Sequence, residues 1–114
     1  MTVLTFSKPP STNNLFGTNW KTRQRFVSEE YKRWRKMAMQ EIMTQRRHQH
    51  PGRVRVAYAV ERGSPLSDIG NREKGPSDLL VEMGIIKNDN LIESIYLNWS
   101  DKVKGIRARI TDCI

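Results

Sequence analysis

Apolar residues recur along this chain with two periods. Tyr31, Trp34, Ala38 and Ile42 follow one another at intervals of three and four, the spacing of one helix face. Ser28 is a good N-cap, and Glu29 and Glu30 stand in the first turn, where the helix dipole favours anions. The spacing therefore predicts a helix from about 28 to 46. Met37, Met39 and Met43 widen its apolar surface, as either a core filling or a subunit contact requires. The run His48-Gln49-His50-Pro51-Gly52 breaks it. Over 53–60, Val54, Val56, Tyr58 and Val60 alternate with Arg53, Arg55, Ala57 and Ala59. That is a strand with one buried face and one partly basic face.

Around these two elements the same reading places four more. Val3-Leu4-Thr5-Phe6 is a short strand closed by Lys8-Pro9-Pro10. A second helix begins near Asn71, carries Leu79, Leu80, Val81 and Met83, and stops at Gly84; Pro76 must fall in or near its first turn. Leu91 to Trp99 is a strand with Ile95, Leu97 and Trp99 on one face. Ser100 to Gly105 turns into a final strand over 106–110, with Arg107 and Arg109 on one side. The stretch 11–26 opens as a turn-rich loop, Ser11-Thr12-Asn13-Asn14, anchored by Leu15 and Phe16. Its mixture of Phe16, Trp20, Lys21, Arg23, Arg25 and Phe26 either pins the loop to the core or stacks on bases. The order β-α-β-α-β-β gives an α+β fold, a small mixed sheet with two helices in one domain spanning 1–114.

Charge adds a direction to this picture. The net charge is +8, from 20 basic and 12 acidic residues. Residues 1–20 carry +1, residues 56–114 carry −1, and residues 21–55 hold eleven Lys/Arg against three Glu. A contiguous basic block of this kind favours a polyanion through counterion release and steers it toward the molecule. Nucleic acid is the expected partner, with Lys21, Arg23, Arg25, Lys32, Arg33, Arg35, Lys36, Arg46, Arg47, Arg72 and Lys74 contacting its backbone. No apolar run approaches the ~18 residues of a membrane span, and no secretion signal is visible, so a cytoplasmic location without membrane contact is expected. The single cysteine, Cys113, excludes an intrachain disulfide and reads as an exposed tail thiol. His48 and His50 lack a third ligand nearby in the sequence and read as a turn.

Candidate chemistry concentrates at Ser67-Asp68-Ile69-Gly70-Asn71-Arg72-Glu73-Lys74 and at Asn88-Asp89-Asn90. These stretches put carboxylates, an amide and an ammonium at the edges of the second helix, inside a basic chain. Mg²⁺ prefers oxygen ligands, so paired carboxylates facing a polyanion suggest a divalent metal at a phosphate.

Taken with Pro9-Pro10-Ser11-Thr12-Asn13-Asn14, Ser77-Asp78-Leu79-Leu80 and Gly84-Ile85-Ile86-Lys87-Asn88-Asp89, the pattern resembles the RusA family of Holliday-junction resolvases. These are small dimeric endonucleases often carried by phages and prophages. The resemblance implies a homodimer that hydrolyses branched DNA, such as four-way junctions, by paired Mg²⁺-dependent (or Mn²⁺-dependent) nicks in recombination and repair. It assigns Asp68 and Asp89 as metal ligands and catalytic residues, Asn71 as the motif's amide and Lys74 as the phosphate-side cation. Position 70, where the family's motif has a second Asp, is glycine. Two outcomes stay open: Glu73, one turn further along, supplies the missing carboxylate, or the protein grips branched DNA with weak or no cleavage. An RNA-binding domain outside the family is a third reading.

Overall fold

The computed structural model describes residues 1–11, 16–19, 24–63 and 68–113. In chain order the elements are β1 (Thr2–Phe6), β2 (Phe16–Asn19), β3 (Gln24–Val27), α1 (Glu29–Met43), β4 (Val54–Glu61), a 3₁₀ turn (Ile69–Arg72), α2 (Lys74–Glu82), a second 3₁₀ turn (Asp89–Leu91), β5 (Ile92–Ser100) and β6 (Ile106–Asp112). Four strands form one mixed sheet in the order β1-β6-β4-β5. β6 pairs antiparallel with β1 and with β4, whereas β4 and β5 run parallel. A parallel pair needs a crossover, and the first 3₁₀ turn with α2 supplies it.

The predicted alternation fixes which side of the sheet is covered. Leu4 and Phe6, then Val54, Val56, Tyr58 and Val60, then Ile106, Ala108 and Ile110 are all buried. They join one core with Tyr31, Trp34, Ala38 and Ile42 of α1 and Leu79 and Leu80 of α2. The α1 stripe is the one its spacing predicts. Met39 packs against this core, but Met37 and Met43 remain exposed. Arg55, Arg107 and Arg109 stand exposed on the other face of the sheet.

Several boundaries differ from the expectation, each for a local reason. α1 ends at Met43 rather than near 46. The Thr44 hydroxyl donates to the Glu41 carbonyl, and the Arg47 guanidinium donates to the carbonyls of Ile42, Met43 and Gln45. These donors satisfy the helix's last orphan acceptors and let the chain leave. The second helix is two pieces. The Asp68 side chain accepts from the Gly70 N–H at 3.0 Å, so the chain opens as a 3₁₀ turn, and the α-helix restarts at Lys74. Pro76 then lies in the first turn, where its missing N–H removes no helix bond. At Gly75 a built Cβ would lie 3.4 Å from the Trp34 ring, an ordinary contact, so α2 packs beside α1. Residues 16–19 and 24–27 pair as an antiparallel hairpin rather than forming a loop. Leu15, Trp20, Lys21 and Arg23 lie outside the described residues, as do the side chains of Phe16, Arg25 and Phe26. Cys113 is half-buried rather than exposed, its N–H donating to the Arg53 carbonyl at 2.9 Å. No helix among the described residues is long and apolar enough to cross a membrane.

Candidate active site

The motif follows β4, which ends at Glu61. Asp68 is exposed and caps the 3₁₀ turn, where the Asn71 N–H donates to its carbonyl at 3.2 Å. Gly70 is exposed, its φ lies outside the left-handed region, and a Cβ built on it would meet the Asp68 carboxylate at 3.4 Å, an ordinary contact. Position 70 therefore has room for a side chain, and that side chain would stand beside Asp68. Arg72 closes the turn by donating through Nη1 to the Pro9 carbonyl at 2.7 Å. The Pro-Pro opening of the chain is thus bound directly to the carboxylate motif.

From Glu73 onward the residues face a cleft between α2 and β5. Glu73, Lys74, Ser77, Asp78, Asp89, Ile92 and Ile95 line a space of about 310 Å³. Three of the predicted residues, Glu73, Lys74 and Asp89, share it. Asp68 is not among its lining residues and sits on the preceding turn. A fourth carboxylate, Asp78, lies within it and pairs with the Lys74 ammonium at 3.4 Å, one helical turn away. Sequence reading quoted Asp78 only as part of the resemblance; its spacing from Lys74 is the signal that places it here.

Glu73 is held from inside the fold. Its carboxylate accepts from the Ser77 hydroxyl at 2.5 Å, and that oxygen lies 2.9 Å from the buried Tyr58 hydroxyl. Because Ser77 gives its proton to the carboxylate, the Tyr58 O–H donates to Ser77. Burial pushes the Tyr58 phenol above its ordinary range, so it stays protonated as the donor. Ser77→Ala leaves the Tyr58 hydroxyl buried without a partner and frees Glu73. A loss of about 1–3 kcal/mol in unfolding free energy is expected from denaturant titration, and Tyr58→Phe in the same background should recover most of it.

The basic residues divide by what they touch. Lys32, Arg33, Lys36 and Arg46 are exposed, and Lys32 makes a 3.3 Å pair with Glu29. Arg35 is engaged across the helices, its Nε donating to Glu82 at 2.7 Å, and Arg47 caps α1. Lys8, which lies outside the basic block of the sequence, joins them in the fold. With Arg33 and Arg72 it lines a hollow of about 400 Å³ beside Pro9 and Pro10. Its ammonium rests 5.5 Å above the Trp99 ring centre. Burial, and then the neighbouring Arg72, hold it below the usual lysine range. Two cations that repel one another beside a carboxylate motif are stabilised by a bound anion, and a backbone phosphate is one.

The fold brings a third potential ligand to His48 and His50: Asp112 at the end of β6, with one donor atom of each within 4.8 Å of the others. This cluster shares no residue with the cleft.

Comparison with protein families gives a match over residues 7–111 to the family described as endodeoxyribonuclease RusA. No curated protein was found to match the chain.

Proposed function

The chain belongs to the RusA endodeoxyribonuclease family, and on that premise we propose that it is a homodimeric, Mg²⁺-dependent nuclease that nicks branched DNA in pairs. The observation that carries this reading is the sharing of one cleft by Glu73, Lys74, Asp78 and Asp89. An all-oxygen donor set fits a hard divalent cation. Asp89 and Glu73 would hold it, with Asp68 contributing from the adjoining turn; Mn²⁺ suits the same ligands. When bound, the ion supplies polarisation of the scissile phosphate and a water of lowered pKa.

The remaining work falls to the chain's own side chains. Lys74 sets an ammonium against the oxygens that gain charge as the P–O bond breaks. Asp78 holds that ammonium in the cleft until a phosphate takes its place. Ser77 and Tyr58 keep Glu73 from swinging to solvent. Lys8, Arg33 and Arg72 hold the neighbouring backbone, while Lys32, Lys36 and Arg46 extend the grip along α1; such contacts fix position without reading sequence. Met37 and Met43, exposed on α1, offer apolar surface for a second copy.

Cleavage of a synthetic four-way junction tests this directly. Paired nicks should appear with Mg²⁺ or Mn²⁺ and vanish in EDTA. Asp89→Asn should lower the rate at least about tenfold with little loss of junction binding. A second reading rests on Gly70, which leaves the motif one carboxylate short: the protein holds junctions and does not cut. Tight binding with no metal-dependent nicks would favour it.

A further inference from the structure

We propose that His48, His50 and Asp112 form a second metal site, built for a borderline divalent ion of the zinc class and separate from the carboxylate cleft. The donors are of a different kind, two imidazoles and a carboxylate, which suit zinc rather than magnesium. They come from distant parts of the chain, and the fold holds each in place. The His50 ring is fully buried. Its backbone N–H donates to the Ile85 carbonyl at 2.8 Å, and its segment bridges to Ile86. Asp112 ends β6, opposite Val54. His48 lies two residues before His50 in a non-helical segment, so both rings fall on one side, their centres 4.2 Å apart.

The hydrogen bonds already present show how an ion would enter. His50 Nδ1 and Asp112 Oδ1 are 2.7 Å apart, a hydrogen-bond distance; two tetrahedral ligands at ~2.1 Å from one ion stand ~3.4 Å apart, so the pair must part by less than ~1 Å to admit it. On the other side of the ring, His50 Nε2 lies 2.8 Å from the Thr2 hydroxyl. Without metal, the ring proton sits on Nδ1 and is donated to the Asp112 carboxylate, while Thr2 donates to Nε2. With metal, the ring proton moves to Nε2 and is donated to the Thr2 oxygen, whose own hydrogen turns to His48 Nδ1, 3.3 Å away, and His50 Nδ1 turns its lone pair to the ion while His48 would bind through Nε2. The imidazole stays neutral and keeps one proton throughout. Thr2 thus serves as the outer partner that orients a metal-bound histidine. His48 and Asp112 are exposed, which gives the ion its path, and solvent completes the coordination. Once filled, the site ties the start of β1, the segment after α1 and the end of β6 together.

The experiment is titration of the purified full chain with Co²⁺, followed by visible absorption, and with Zn²⁺, followed by calorimetry, in excess Mg²⁺. A tetrahedral Co²⁺ spectrum saturating at one ion per chain is expected. It should persist in Asp89→Asn, disappear in His48→Ala and weaken at least tenfold in Asp112→Asn. Zn²⁺ at ~100-fold above its Kd should raise the unfolding midpoint by on the order of 10 °C. Both site variants change exposed side chains, and far-UV circular dichroism checks that they fold. No Co²⁺ spectrum in the wild type, or equal affinity in His48→Ala, overturns the proposal and leaves the cluster as a hydrogen-bonded clasp. A signal lost in Asp89→Asn also overturns it, by assigning the ion to the cleft.

Discussion

Gly70→Asp is expected to raise Mg²⁺-dependent nicking of a four-way junction by on the order of 100-fold, about 2.7 kcal/mol of transition-state stabilisation. The backbone at 70 accepts an L-residue without strain, and the nearest atom to a new Cβ is the Asp68 carboxylate oxygen at 3.4 Å. The added carboxylate would stand beside the first one, making a paired oxygen site for the ion. Without metal the two like charges repel, which should cost less than about 1 kcal/mol at this exposed turn. The variant should therefore be slightly less stable than the wild type in EDTA and recover in Mg²⁺. Gly70→Asn, of equal shape and no charge, should gain nothing. An unchanged rate in Gly70→Asp would mean that the ion is held deeper in the cleft by Glu73 and Asp89; Glu73→Gln should then remove the activity.

The largest stability effect is expected at Gly105. Its φ is +75°, and a Cβ there would fall 2.2 Å from the Phe6 carbonyl oxygen and 3.2 Å from the Lys8 nitrogen. Its N–H donates to the Glu61 carboxylate at 2.8 Å, and its carbonyl accepts from the Glu61 N–H at the same distance. The residue is therefore fixed from β4 while the exit of β1 presses on it. Gly105→Ala must strain the left-handed backbone and also push that exit away, a loss of about 3–5 kcal/mol. Gly84 separates the two causes. It has nearly the same φ, +76°, with nothing within 4 Å of a built Cβ, so Gly84→Ala should cost only about 1 kcal/mol. Denaturant midpoints of the two variants, compared at equal slope, give the contribution of the clash. Similar losses at both positions would show that the Phe6 contact yields easily.

What could be read from the chain beforehand was whatever depends on near neighbours. The stripe Tyr31, Trp34, Ala38 and Ile42 needs only helical spacing, and the alternation from Val54 to Val60 needs only the pleat. The joining of Glu73, Lys74 and Asp89 was legible because a motif with its own spacing carried it. The contacts that decide individual roles link residues far apart in sequence and leave no local trace. Arg35 looks like any cation of α1 until Glu82 arrives from α2, and nothing near Arg72 in the sequence shows that it reaches the Pro9 carbonyl. His50 read as a turn residue because Asp112 is 62 positions away. Lys8 was passed over because it stands apart from the basic block, although the fold returns it to Arg72. The break at Glu73 leaves no mark in the sequence, because Gly70 to Gly75 carries no apolar residue to show a period, and the cap made by Asp68 depends on side-chain geometry.

The seam between α1 and α2 has a further effect. Gly75 lies beside the Trp34 ring near the start of α2, and Arg35 joins Glu82 at its other end, so the two helices meet at both ends of α2. One helix carries exposed cations, and the other carries Lys74 and Asp78 of the cleft with Glu73 at its start. If DNA lies along α1, this packing sets the distance from gripped backbone to cleft. On the proposed reading, a strand is accepted when its path through space presents a phosphate at that distance, which makes the shape of the DNA, rather than its bases, the quantity being measured.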